Sequence, residues 1–334
     1  MAAEQAGRSR GAAIAAAALS LTASFPSAVQ PAAPPASADH SEPGRVAAFS
    51  PAGQVEAGNA PEPITWEEVL ALPRPAPDHR IAYGDGESRF GELRLPKGDG
   101  PFPVVVLVHG GCWLAEFDLG YMASAAAALA AEGMAVWTLE YRRVGDPGGG
   151  WPGTFEDIGR GVDHLRDLAD RFPLDLGRIV LAGHSAGGHL ALWAAARARL
   201  PGARPLHAAD PLPVRGVVTL AGITDLADYG RGPRDCNAAV ARLMGGGPGE
   251  FPRRYAEGNP AALLPLGVPA RLVQGTLDPI VPVDQARAFE TAARAKGDDA
   301  RMVLVEGAGH FDLVAPSTAA WQAVRRAILD RLGG

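Results

Sequence analysis

The segment Gly183-His184-Ser185-Ala186-Gly187 sets a serine between small residues, after the apolar run 178–182 and before the Ala- and Leu-rich stretch 186–199. A serine on a sharp strand-to-helix turn needs glycine two places before and after it, because side chains there would collide across the turn. The turn exposes the hydroxyl at the sheet edge. The next N–H, that of Ala186, then sits at a helix N-terminus, where it can bind developing negative charge. A serine hydroxyl is a poor nucleophile at neutral pH and needs an adjacent base. His310, in Gly307-Ala308-Gly309-His310-Phe311, follows the last strand candidate, and Asp278, in Gly275-Thr276-Leu277-Asp278-Pro279, follows the one before. An imidazole so placed takes the serine proton, and a carboxylate holds the imidazole in the right tautomer. Asp225 follows an earlier strand candidate and is the alternative acid; Asp157 and Asp284 are weaker ones.

The run 104–108 ends in His109-Gly110-Gly111-Cys112-Trp113. Two glycines let the backbone approach a substrate oxygen and aim N–H groups at it. Gly111 and Cys112 are therefore the expected oxyanion donors beside Ala186, with His109 shaping the loop. Trp113, Trp151 and Phe311 are candidates for the substrate pocket, Trp113 being equally readable as a core aromatic. His184 reads as a support of the turn. His189, one helical turn beyond Ser185, reads as structural.

These residues need a frame. Residues 80–83 and 89–95 flank Gly84-Asp85-Gly86 and read as an antiparallel hairpin. The continuous apolar run at 104–108 reads as a strand buried on both faces, and 135–139, 178–182, 214–220, 271–274 and 301–305 are further strand candidates. Helical stretches are expected at 120–132, 155–171, 186–199, 284–296 and 317–331. Such alternation predicts an α/β fold with a mostly parallel sheet and helices on both faces. Residues 223–266 are too long for a plain connection and read as a cap or lid insertion before the acid-bearing strand, carrying most of the substrate contacts.

The chain has 334 residues, 47% hydrophobic and 20% charged, which excludes full-length disorder and collagen-like structure. A net charge of −6 argues against a general nucleic-acid binder. The two cysteines, Cys112 and Cys236, cannot build a disulfide framework or a four-ligand zinc site, though one bridge between them remains open. His40, His79, His164 and His207 have no spacing suited to a metal. No metal or cofactor is expected. Residues 1–28 read as an export signal, with Arg8 and Arg10 before an uncharged run too short for a membrane span. The alternative is an Ala-rich tail on a cytoplasmic protein. Residues 29–75 read as a Pro- and Ala-rich flexible leader, and 76–334 as the folded domain.

The His109-Gly110-Gly111-x-Trp113 and Gly183–Gly187 motifs, with Asp278 and His310 in that order, resemble the α/β-hydrolase superfamily. More narrowly they resemble its esterase and lipase group, which includes feruloyl-esterase-like enzymes and kynurenine formamidases. Cys112 departs from the aromatic or small residue often found in that loop. The resemblance covers about residues 76–334 and implies an eight-stranded, mostly parallel sheet. It implies a serine hydrolase that cleaves carboxylic esters through an acyl-enzyme, with a small-molecule ester or amide as partner. An arylformamidase, amide hydrolase or peptidase using the same triad is the alternative. A non-catalytic binding module on this scaffold would carry a damaged triad.

Overall fold

The computed structural model describes residues 62–333. Its frame is one eight-stranded sheet in the order β1-β2-β4-β3-β5-β6-β7-β8. The strands are β1 (His79–Ala82), β2 (Phe90–Arg94), β3 (Phe102–Val108), β4 (Ala135–Leu139), β5 (Leu174–His184), β6 (Gly216–Leu220), β7 (Ala270–Gly275) and β8 (Ala300–Val305). β1 and β2 form the expected antiparallel hairpin, and β2 also runs antiparallel to β4. All other pairings are parallel.

Side chains alternate between the two faces of the sheet, and each face has its own core. Val104, Val106 and Val108 of β3 enter one cluster, with Trp137 of β4 and Leu181 of β5. Val105 and Leu107 enter the other, with Val136 and Val180. Among the described residues there are ten α-helices: α1 (Trp66–Ala71), α2 (Ala123–Ala131), α3 (Gly153–Asp163), α4 (Leu165–Ala169), α5 (Ala186–Ala196), α6 (Leu226–Tyr229), α7 (Asp235–Met244), α8 (Pro252–Gly258), α9 (Val283–Ala295) and α10 (Trp321–Leu332). α3, α5 and α9 cover the first face, and α2 and α10 the second. Every residue of α5 is buried, as its unbroken run of Ala, Leu and Trp requires.

The structure departs from the sequence reading in three places. The stretch 155–171 is two helices, α3 and α4. The indole of Trp137 donates to the Gly161 carbonyl at 2.9 Å, the acceptor that a continuous helix would offer to Leu165. The end of the expected leader, 62–75, is ordered and carries α1. Thr65 and Glu68 form a reciprocal capping box, and Val69 is buried in the second core. Third, the insertion 223–266 is not a separate lid. Its helices α6 and α7 bury Leu226, Tyr229, Ala239, Val240 and Leu243 in the main core.

Cys112 and Cys236 form a disulfide that ties the loop after β3 to α7. Cross-links closing long loops restrict the unfolded chain most. Cys236→Ser should therefore lower stability by about 2–5 kcal/mol in urea unfolding. Non-reducing peptide mapping should recover the two cysteine peptides joined; free thiols at both positions in the folded protein would refute the bridge.

Candidate active site

Ser185 links β5 to α5 with φ 56° and ψ −120°. A non-glycine residue at such a positive φ is strained, and strain of this kind gathers at functional sites. The neighbouring glycines make the turn possible. A Cβ on Gly183 would lie 2.1 Å from the Gly187 carbonyl oxygen, and one on Gly187 would lie 2.2 Å from that of Val108. Any larger residue at either place would push the strand, the turn and the helix apart.

His310 follows β8 and Asp278 follows β7, and the two side chains meet. Nδ1 of His310 lies 2.8 Å from Oδ2 of Asp278, and both side chains are almost fully buried. Burial alone would raise the Asp278 pKa. The hydrogen bond and charge of His310, with the N–H groups of Val281 and Ile280, outweigh it and hold the carboxyl below its ordinary value. An ionised Asp278 keeps the proton on Nδ1 and leaves Nε2 with its lone pair. His310 and Ser185 line one cavity of about 190 Å³. Asp225 is elsewhere engaged: its carboxylate caps α6 by accepting from the N–H groups of Ala227 and Asp228. Asp157 is paired with Arg89 and Arg142.

The loop after β3 carries the two N–H groups expected as donors. Gly111, Cys112 and Trp113 all have positive φ, at 94°, 51° and 58°. Gly111 and Cys112 line the cavity with Ser185. Among the described residues their N–H groups find no acceptor. The N–H of Ala186, first residue of α5, is one that a helix leaves unpaired. Behind the loop, Nε2 of His109 lies 2.9 Å from Glu140, and its ring stacks on Tyr141 at 4.4 Å. The Tyr141 hydroxyl donates to the His109 carbonyl.

Sequence reasoning missed the link between these loops. The Gly110 N–H donates to the Tyr121 hydroxyl at 2.6 Å. That hydroxyl lies 2.8 Å from Nδ1 of His184, and Nε2 of His184 lies 3.1 Å from the His310 carbonyl. Since the carbonyl only accepts, Nε2 carries the proton, and Nδ1 accepts from Tyr121. His184 thus joins the loop after β3 to the loop that bears His310.

Phe311 lines the cavity, whereas Trp113 and Trp151 do not. Trp113 is wholly buried and donates to Nδ1 of His189 at 3.2 Å. Trp151 packs against Phe155 at the edge of the main core. Both are turned inward by the loops that carry them. None of the cavity-lining residues comes from 223–266, because that insertion turns its apolar side chains into the core. Sequence reasoning also missed the wall residues Phe117, Tyr121 and Ile280, and Trp66 of α1. The only sequence signal for Trp66 was the Thr65-x-x-Glu68 capping pattern.

Residues 92–293 match the model of the BD-FAE family. The chain belongs to the BD-FAE family. Esterase LipC of Mycobacterium tuberculosis is 29% identical over 249 residues, covering 70% of this chain and 60% of LipC. The isoprenylcysteine alpha-carbonyl methylesterase ICME of Arabidopsis thaliana is 30% identical over 251 residues, covering 70% of this chain and 56% of ICME. The chain thus spans a little over half the length of these relatives. Esterase B of Lactobacillus rhamnosus is similar in structure, with TM-score 0.69 and 19% identity over 80% of this chain and 89% of that one. The chain therefore has the α/β-hydrolase fold.

Two buried histidines make stability depend on pH. Burial pulls His189 from the ordinary 6.5 down to about 4, against a weaker upward pull from its bond to the Gly258 carbonyl. Burial, aided by the charge of His310, holds His184 well below 6.5. The unfolded chain thus binds more protons than the fold just below that value, so stability falls as pH drops from about 6.5 towards 4. His189→Gln keeps an acceptor and a donor without titrating. It should shallow the slope of unfolding free energy against pH in this window; an unchanged slope would refute the assignment.

Proposed function

We propose that this protein is a serine hydrolase that cleaves carboxylic esters through an acyl-enzyme. The observation that carries the reading is the buried His310–Asp278 bond, facing the same cavity as the strained Ser185 and two unpaired N–H groups. The names of the relatives, an esterase and a methylesterase, support it.

The chemistry proceeds in two halves. Nε2 of His310 takes the proton as Ser185 Oγ attacks the ester carbonyl carbon. The carbonyl oxygen becomes an oxyanion held by the N–H groups of Gly111, Cys112 and Ala186. Asp278 keeps His310 in the required tautomer and stabilises the imidazolium that forms. The tetrahedral species collapses, its C–O bond to the alcohol breaks, and His310 gives its proton to the leaving oxygen. Water then enters, His310 takes its proton, and hydroxide attacks the acyl carbon. The second tetrahedral species expels Ser185 Oγ, which recovers the proton, and the carboxylic acid leaves. The donors are fixed before substrate arrives, so stabilising the oxyanion needs little reorganisation.

The Cys112–Cys236 disulfide supports an oxidising compartment for this enzyme. Export is our reading of residues 1–28, which lie outside the described residues.

Ser185→Ala should lower kcat for p-nitrophenyl acetate by about 10⁴-fold or more with an unchanged circular dichroism spectrum. Asp278→Asn should lower it by about 10⁴-fold, whereas Asp225→Asn, still able to cap α6, should stay near wild type. Substantial ester turnover in the Ser185 variant would defeat the mechanism. Faster turnover of N-formylkynurenine or a peptide than of esters would replace the substrate class.

A further inference from the structure

The cavity over Ser185 has a wall that the proposed chemistry does not use. Trp66, Phe117, Tyr121, Phe311 and Ile280 line it, and no Lys, Arg, Asp or Glu does. The indole of Trp66 packs between aromatic residues of two loops. Its centroid lies 5.7 Å from Phe117 and 5.3 Å from Tyr121 on the side of the donor loop, and 5.3 Å from Phe311 on the side of His310. The capping box and buried Val69 hold α1, and so the indole, in place. Trp66 lies ahead of residues 92–293, the part of the chain that the family model matches.

We propose that this cavity is the acyl pocket, that Trp66 sets its length limit, and that the substrates are esters of short, uncharged aliphatic acids. The inference rests on the ester-hydrolase reading above. The lining selects an apolar group, since a charged one would be desolvated there without a partner. A volume of about 190 Å³ corresponds to about six water-sized groups at roughly 30 Å³ each. That suits an acyl chain of about four to six carbons. The acyl half stays bonded to Ser185 through both half-reactions, while the alcohol must leave and give way to water. An apolar cavity that contains the nucleophile and its donors therefore serves the acyl half.

The test compares kcat/KM for p-nitrophenyl esters from acetyl to dodecanoyl in wild type, Trp66→Ala and Trp66→Phe. A second series holds the acyl group at butyryl and lengthens an aliphatic alcohol. In wild type, kcat/KM should rise up to about fourfold per methylene, the worth of burying one, and then fall beyond about six carbons. Trp66→Ala should move that fall to longer chains and raise the decanoyl-to-butyryl ratio by about tenfold or more. Trp66→Phe should give a smaller shift in the same direction and carries the test if the alanine variant does not fold. The alcohol series should be nearly flat. An unchanged acyl-length profile in folded variants, or a steep dependence on alcohol length instead, would overturn the pocket while leaving ester hydrolysis intact. Wild type that hydrolyses none of these esters and has a Ser185 inert to a phosphonate probe would overturn the ester-hydrolase reading, and this pocket with it.

Discussion

A serine held in left-handed backbone between a strand and a helix costs on the order of 1–3 kcal/mol, and the surrounding structure must impose it. Here the imposing parts are visible. β5 lies mid-sheet between β3 and β6, α5 is buried along its whole length, Gly183 lets β5 and α5 close to backbone contact around Ser185, and Gly187 lets α5 close on the end of β3. The strain is local and the restraint is global, so the position of one hydroxyl is set by the packing of both cores.

The rest of the site follows from the sheet. In a parallel sheet the loops after successive strands emerge at one edge. The loops after β3, β5, β7 and β8 bring the N–H donors, Ser185, Asp278 and His310 to that edge. Three ties then remove their independence. The chain of hydrogen bonds from Gly110 through Tyr121 and His184 reaches the His310 carbonyl. Glu140 anchors His109 under the donor loop, and the disulfide fastens Cys112 to α7. Preorganisation of this kind is what makes fixed dipoles useful to a developing charge.

The strands and the triad candidates were legible because each carries a strong local signal: β-branched apolar runs, a glycine-framed serine, and polar residues just past strand ends. The acid was harder, since Asp225 and Asp278 both follow strands. Only the folded chain separates the helix cap from the partner of His310. Aromatic residues near the motifs misled for a simple reason. A tryptophan such as Trp113 satisfies core and pocket equally in sequence, and the direction of its side chain is a tertiary property. Trp66 was hidden by its setting beside a Pro- and Ala-rich stretch, where six helical residues stand only because a capping box and a buried valine hold them. The pairing of Cys112 with Cys236 spans 124 residues, a separation over which spacing carries no information.

The most direct measurement is reaction of the intact protein with a fluorophosphonate, followed by peptide mass mapping. The account predicts one equivalent of phosphonyl group per chain, on Ser185, with ester hydrolysis lost in step with labelling. Labelling at another residue, or hydrolysis that survives full modification of Ser185, would contradict it.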